Sequence, residues 1–274
     1  MTRLGDIAFL NCHPIRWGLA RLGARYPLRS DTPPRLGEAL LGRRLDVSPV
    51  SLVHALRHRD RLVVLPGLAI GSDGPVRSCV LAGRVPPYEL DGRPVALTRV
   101  SRTSVLLARM FLEDVAGVRP VYVPPDADAD ARVLIGDEAL RCTLRTPPGW
   151  AVHDLGQVWH EWTGLPMVFA VWAARREFAA ANPAAVADVR RTLTAAITLA
   201  RAHPREVAAS AAPGSGLRPD ELAAYFGGLD FSLGERQTAA IRVFSRLAGA
   251  RTARAERFAE LTIDARGLEE GLLK

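Results

Sequence analysis

The densest group of chemistry-bearing residues is a hydroxyl-rich turn between Leu97 and Val105. Ser101, Thr103 and Ser104 lie there, after a β-type run and before a segment whose apolar residues recur at helical spacing. The start of a helix presents backbone N–H groups and the positive end of the helix dipole, and hydroxyls add further donors. The turn could therefore bind a carboxylate or a phosphate. An ordinary helix N-cap is the alternative, because Ser and Thr begin many helices.

Polar side chains also follow two other predicted strands. Asn11 comes at the end of a strand predicted over 6–10, and Ser51 follows a strand predicted over 45–50. Ligands of open parallel sheets bind beyond the carboxyl ends of the strands, so an amide or a hydroxyl there could orient a substrate. A turn or cap is an equally common use of these residue types.

Three more positions are candidates for a binding site. Ser78 lies inside a β-type run over 76–82, where a small polar residue either packs or faces a cleft. Gly136 and Asp137 follow a strand predicted over 132–135. The glycine permits close approach of the backbone, and the aspartate would cap the following helix or contact a ligand.

The elements that position these residues alternate along the chain. Strands are predicted over 6–10, 28–30, 45–50, 62–65, 68–70, 76–82, 95–97, 120–123, 132–135, 152–155 and 165–174. Helices are predicted over 15–22, 32–41, 52–57, 105–112, 157–163, 183–202, 204–212, 219–226 and 234–248, with another from 138. This order indicates an α/β protein whose C-terminal region is helical.

Composition limits the class of partner. The chain has 274 residues, of which 48% are hydrophobic, enough for one large or two modest cores. Its net charge is +7, but the basic residues are scattered arginines, and Lys274 is the single lysine. A nucleic-acid surface would need a basic stripe with interleaved aromatics, and the basic run over 57–61 is too short for that. We therefore expect attraction for small anions and no nucleic-acid partner.

Cysteine usage and hydropathy indicate the compartment. Cys12, Cys79 and Cys142 are odd in number and widely spaced, which favours a reducing environment. The N-terminal apolar run over 7–10 is too short for a secretory signal, and the longest apolar run, over 165–174, is too short to span a bilayer. We expect a cytoplasmic protein without a membrane partner.

An acidic segment superficially resembles a calcium loop. It contains Asp126, Asp128 and Asp130 but lacks the glycine and the terminal glutamate of that motif. We therefore predict no metal site, and we expect no cofactor.

Six segments, taken together, resemble the chorismate dehydratase family of the futalosine route to menaquinone. They are FLNCHPI, LDVSPVSLV, GPVRSCVL, SRTSVLLAR, VLIGDEAL and VHDLGQVWHEWTGLPMVFAVWAAR, in this order within residues 5–177. The resemblance implies a two-lobed fold of the type II periplasmic-binding-protein kind, with a ligand cleft between the lobes and C-terminal helices. Residues 1–88 and 166–274 would form lobe I, and residues 89–165 would form lobe II.

The activity implied by the resemblance is the removal of water from chorismate to give 3-[(1-carboxyvinyl)oxy]benzoate, a carbon–oxygen lyase reaction. Chorismate is a small dianion, and the positions that match the motifs divide into two groups. The expected substrate-binding residues are Ser51, Ser101, Thr103, Ser104, Gly136 and Asp137. Asn11 and Ser78 are the expected residues at the reacting end.

The identity of the base is left open by these motifs. An amide is a poor base, so Asn11 would position the leaving hydroxyl or the proton acceptor. His13 is the competing candidate, because its unperturbed pKa suits general base work. We expect His13 to be structural, since the turn and Pro14 need not aim it at a ligand.

Three alternatives share parts of this pattern. The sister enzyme of the pathway, 1,4-dihydroxy-6-naphthoate synthase, has the same kind of fold. A small-anion solute-binding protein would need export, and a ligand-sensing regulator would need a helix-turn-helix segment before Asp6. The sequence carries no signal for an oligomeric state.

Overall fold

The computed structural model describes residues 1–254, in which strands and helices alternate before a helical C-terminal region. The strands are β1 Leu4–Ile7, β2 Leu28–Asp31, β3 Val47–Ser51, β4 Leu62–Ser72, β5 Cys79–Gly83, β6 Pro94–Ala96, β7 Val121–Val123, β8 Ala131–Ile135, β9 Ala151–Asp154 and β10 Met167–Arg175. The helices are α1 His13–Arg21, α2 Pro33–Leu41, α3 Leu52–Arg57, α4 Arg102–Met110, α5 Gly136–Leu144, α6 Leu155–Thr163, α7 Arg176–Ala181, α8 Pro183–Ala202, α9 Pro204–Ala211, α10 Pro219–Gly227 and α11 Glu235–Arg254. Short 3-10 turns over Leu10–Cys12 and Pro87–Glu89 and a π-helical turn over Phe111–Val115 complete them. The predicted α/β class is confirmed.

The chain forms two compact units. Unit 1 comprises Met1–Gly71 and the described residues from Val168 on, and unit 2 comprises Ser72–Met167. The boundary between Gly71 and Ser72 lies before β5, earlier than the predicted boundary after Tyr88. β5 belongs to unit 2 because it pairs with β8 and β9.

Unit 1 is built on a five-stranded sheet of order β2-β1-β3-β10-β4. β1 lies parallel to β2 and β3, whereas β10 runs antiparallel to β3. β1 and β3 are buried along their whole length, as expected of inner strands, and β2 is a largely exposed edge strand. α1 packs on α8, and Gly18 permits the contact, because a Cβ at this position would lie 2.2 Å from the carbonyl oxygen of Ala196.

A carboxylate ties three strands of this sheet together. Asp46 accepts hydrogen bonds from the Arg3 guanidinium at 2.7 Å and from the Arg175 guanidinium at 2.7 Å. Burial favours the protonated form of Asp46, but the bonds from the two arginines outweigh burial and lower its pKa to about 2. The segments that carry β1, β3 and β10 are thereby joined.

β4 is one long strand where two shorter runs, 62–65 and 68–70, were predicted. Pro66 and Gly67 interrupt the apolar pattern, and both are exposed. A proline is tolerated there because β4 is an edge strand of the sheet. Beyond the interruption, Ala69 and Gly71 donate their N–H groups to the carbonyls of a segment at 230–231, which continues the strand.

Unit 2 contains a second five-stranded sheet, of order β7-β6-β8-β5-β9. β6 lies parallel to β7 and β8, and β5 lies antiparallel to β8 and β9. Val80 and Ala82 of β5 form a buried cluster with Ala139 of α5. Within residues 1–254 no helix is both long enough and apolar enough to cross a membrane.

Candidate functional site

Asn11 lies in the 3-10 turn between β1 and α1, where the sequence predicted a turn. Its side-chain oxygen Oδ1 is buried and has no hydrogen-bond partner in the described part of the chain. A buried acceptor without a donor costs free energy. A hydroxyl or N–H group of a ligand could satisfy it.

The turn that carries Asn11 is held from α1 by Arg16. The Arg16 guanidinium donates to the carbonyl oxygen of Ile7 at 2.7 Å and to that of Phe9 at 3.3 Å. It also pairs with the buried carboxylate of Asp6 at 3.0 Å. Asn11 is therefore presented on a segment that is fixed on its N-terminal side.

His13 is accounted for by contacts within unit 1. Its Nε2 lies 2.8 Å from the Ser210 hydroxyl of α9, and its ring stacks on Phe226 at a centroid distance of 6.1 Å. Burial, with a further contribution from the charge of Arg16, lowers the pKa of His13 to about 4. These contacts support the structural role expected for this residue.

Ser51 lies at the end of β3 and is the N-cap of α3. Its hydroxyl accepts a hydrogen bond from the backbone N–H of His54 at 3.3 Å. Because β1 and β3 are parallel neighbours, Asn11 and Ser51 both follow the carboxyl ends of strands at one edge of the sheet. That edge is where open α/β sheets bind ligands.

In unit 2, the hydroxyl-rich turn is the beginning of α4. Ser101 is the N-cap: its Oγ accepts from the backbone N–H of Ser104 at 3.2 Å and lies 2.8 Å from the Ser104 hydroxyl. The helix begins at Arg102, so Thr103 and Ser104 lie in its first turn. All three candidate side chains are buried. The cap is therefore observed, and anion binding stays a prediction.

Gly136 begins α5 with a φ of 64°, a left-handed conformation that glycine adopts without strain. The cap suggested for Asp137 is wrong, because the helix starts earlier than predicted and Ile135 occupies the N-cap position. The Asp137 carboxylate instead lies in the first turn, where the helix dipole favours a negative charge.

Ser78 was predicted to lie inside a strand. The strand β5 begins one residue later, at Cys79, so Ser78 immediately precedes it. It is buried, and its hydroxyl lies 3.4 Å from the carbonyl oxygen of Val76. The backbone N–H of Gly136 donates to the Ser78 carbonyl at 2.8 Å. The structure thus brings these two candidates, distant in sequence, into direct contact.

Asp154 is a positioning residue that the sequence reasoning missed. Its carboxylate accepts from the backbone N–H groups of Val76 and Arg77, at 3.0 and 2.5 Å, and from those of Gly156 and Gln157, at 2.9 and 3.1 Å. It caps α6 and at the same time fixes the segment before Ser78. The strand predicted over 152–155 included Asp154 and the helix was predicted only from 157, whereas the observed helix begins at Leu155; an aspartate close before a helical segment was the available signal for the cap.

Comparison with known proteins agrees with this architecture. The sequence profile of a family described as Menaquinone biosynthesis matches residues 2–250. The chain is 31% identical over 268 residues to the chorismate dehydratase of Thermus thermophilus, an alignment that covers 90% of this chain and 94% of that protein. It is 27% identical over 176 residues to the chorismate dehydratase of Campylobacter jejuni, covering 61% of this chain and 64% of that protein.

Among solved structures, the periplasmic aliphatic sulphonate binding protein SsuA from Escherichia coli matches with a TM-score of 0.69 and 18% sequence identity. The superposition covers 97% of this chain and 90% of SsuA. At this identity the likeness shows the fold alone, which is that of the periplasmic binding proteins. Since the family profile spans nearly all of the described residues and the Thermus relative matches along most of its length, the chain belongs to the menaquinone biosynthesis family.

Proposed function

We propose that the protein is a chorismate dehydratase, which converts chorismate to 3-[(1-carboxyvinyl)oxy]benzoate and water. The observation that carries this proposal is the 31% identity to the Thermus thermophilus enzyme over 94% of that protein's length. The reaction breaks a carbon–oxygen bond and forms a carbon–carbon double bond, so the enzyme is a carbon–oxygen lyase. A biosynthetic reaction of this kind suits the cytoplasm, which is the proposed location.

The substrate supplies much of the driving force. Loss of the C4 hydroxyl together with the C3 hydrogen makes the ring aromatic, so the protein mainly has to hold and orient the reacting groups. Asn11 and Ser78 are the proposed residues at the reacting end. The unpartnered Oδ1 of Asn11 would accept a hydrogen bond from the substrate and align the leaving hydroxyl. Since an amide is too weak a base, the proton would pass to another acceptor.

The remaining candidates would bind the dianion. The proposed residues are Ser51, Ser101, Thr103, Ser104, Gly136 and Asp137. Ser51 and Ser101 stand at helix starts, where the dipole favours an anion. The Asp137 carboxylate would repel a substrate carboxylate, so its role would be to accept a hydrogen bond from a hydroxyl.

The test is to incubate the purified full chain with chorismate and to follow product formation by absorbance and mass spectrometry. We expect an aromatic product that is lighter than chorismate by one water. The sister enzyme's substrate, incubated in parallel, should be left unchanged. Binding of chorismate without turnover would instead identify a solute-binding protein and contradict the proposal.

A further inference from the structure

Arg77 has a backbone conformation that is unfavourable for a side-chain-bearing residue. Its φ is 62°, and Arg43 is the one other non-glycine residue with positive φ in the described chain. Arg43 follows the end of α2, where a left-handed residue is ordinary, and its guanidinium pairs with Glu177 at 2.7 Å. Arg77 stands instead directly before Ser78, and sparsely populated backbone conformations of this kind cluster at binding sites and active sites.

The surrounding structure fixes this conformation from both sides of the residue. The backbone N–H of Arg77 donates to the Asp154 carboxylate at 2.5 Å, and its carbonyl oxygen accepts from the Thr143 hydroxyl at 2.8 Å. Thr143 belongs to α5, whose first residue, Gly136, bonds the Ser78 carbonyl. The direction of the Arg77 side chain is therefore set by β9 and α5 and not by its own preference.

The side chain itself is half-buried, yet its guanidinium donates to no acceptor and pairs with no carboxylate within residues 1–254. Three other half-buried arginines of this protein use their guanidinium groups within the fold. Arg16 pairs with a carboxylate, Arg132 donates to two carbonyls, and Arg175 does both. Arg77 thus offers donors that no contact among the described residues uses.

We infer that Arg77 is a substrate-binding residue whose guanidinium binds a carboxylate of the dianionic substrate, beside Ser78. This inference rests on the proposed function. A guanidinium matches a carboxylate with two parallel hydrogen bonds, which fixes its orientation as well as its position. The single lysine is Lys274, so the cations available to a dianion are almost all arginines. The backbone conformation at this position would suit glycine, so a use for the side chain explains why an arginine occupies it.

The test compares Arg77→Gly, Arg77→Gln and the wild type as full chains. Glycine adopts a φ near 62° without strain, so Arg77→Gly should unfold at the same temperature as the wild type or higher. Loss of the charged hydrogen bonds should nevertheless raise KM for chorismate by about 10- to 100-fold in both variants, with a smaller change in kcat. A merely structural arginine would show the opposite, unchanged KM with altered stability.

Arg84→Gln is the matched control. Arg84 follows the other end of β5, is exposed, and lies over the ring of Trp150 at 5.7 Å. Its replacement removes the same charge and should leave KM unchanged. Wild-type KM in Arg77→Gly, or an equal rise in Arg84→Gln, would overturn the inference. If the wild type does not turn over chorismate, the proposed function fails. The affinity of wild type and Arg77→Gly for chorismate, measured by calorimetry, then tests the role of Arg77. Equal affinity of the two proteins, or no binding by either, would refute that role.

Discussion

Asn11 and Ser78, the two residues proposed for the reacting end, are presented in different ways. Asn11 stands on a turn held by Arg16 and has a buried oxygen without a donor among the described residues. Ser78 is placed through its backbone, which is bound to Gly136 and follows a segment fixed by Asp154. In both cases hydrogen bonds fix the backbone that carries the residue, as catalysis by orientation of the substrate requires.

Replacement of Asn11 tests this view directly. Asn11→Ala should lower kcat by about 100-fold or more, as loss of one preorganised hydrogen-bonding group commonly does. Product binding and the unfolding temperature should stay near wild type, because Oδ1 has no partner to lose in the described chain. Steady-state kinetics, product titration and thermal unfolding of the same preparation check all three.

His13→Gln is the matched variant. It should keep most of the turnover but unfold more easily, because it loses the stacking on Phe226 and alters the contact with Ser210. Near-full activity of Asn11→Ala together with an inactive His13→Gln would make the histidine the base and contradict the assignment.

At the scale of elements, α4 shows why the position of a binding turn can be predicted better than its detail. Apolar periodicity begins at Val105, but the helix begins at Arg102, because the Ser101 cap extends it by a polar first turn. Thr103 and Ser104 in that turn are buried. Polar residues in a turn usually indicate exposure, so the sequence did not indicate this burial.

An aspartate at Ser101 separates capping from anion binding. Asp is as good an N-cap as Ser and suits the helix dipole, so Ser101→Asp should unfold at nearly the wild-type temperature. Its charge would repel a substrate carboxylate, so KM for chorismate should rise by about 10-fold or more if the turn binds the anion. Ser101→Ala is the complement and should cost about 1 kcal/mol of unfolding free energy.

Unchanged KM in Ser101→Asp would leave the turn with a cap and no role in binding. Thermal unfolding and steady-state kinetics of the two variants, measured together, give both answers. Ser51→Ala serves as a control for the unfolding measurement alone, because Ser51 caps α3 in the same way but is itself a proposed substrate-binding residue.

Strands and helices were largely predictable, because short apolar runs bounded by proline, glycine and acidic residues mark them well. The features that the sequence did not predict depend on hydrogen bonds between residues far apart in the chain. The continuity of β4 past Pro66 comes from hydrogen bonds to the segment at 230–231. The bond from Val76 to Asp154 joins residues 78 positions apart, so nothing local to either residue indicates it.

At the scale of the whole molecule, each unit contains ionisable side chains that are buried or half-buried. Unit 1 holds His13 and the Arg3–Asp46–Arg175 cluster, and unit 2 holds His153 beside Phe111. Burial lowers the pKa of both histidines. Folding therefore keeps the imidazoles neutral under conditions in which the unfolded chain would charge them.

This arrangement predicts a definite dependence of stability on pH. For His13 the pKa is about 4 in the folded protein, against 6.5 for an unperturbed histidine. Between these values the unfolded chain binds more protons than the folded one, so the free energy of unfolding should fall as the pH falls from about 6.5 towards 4. His153 acts in the same direction. Asp46, with its pKa lowered from 3.8 to about 2, contributes a separate loss of unfolding free energy below that window.

Thermal unfolding of wild type and His13→Gln from pH 7.5 to 3 tests this dependence. The stability of the variant should fall less steeply than that of the wild type between pH 6.5 and 4, and equally below pH 4. Parallel curves in the upper window would show that His13 does not contribute to the pH dependence of folding.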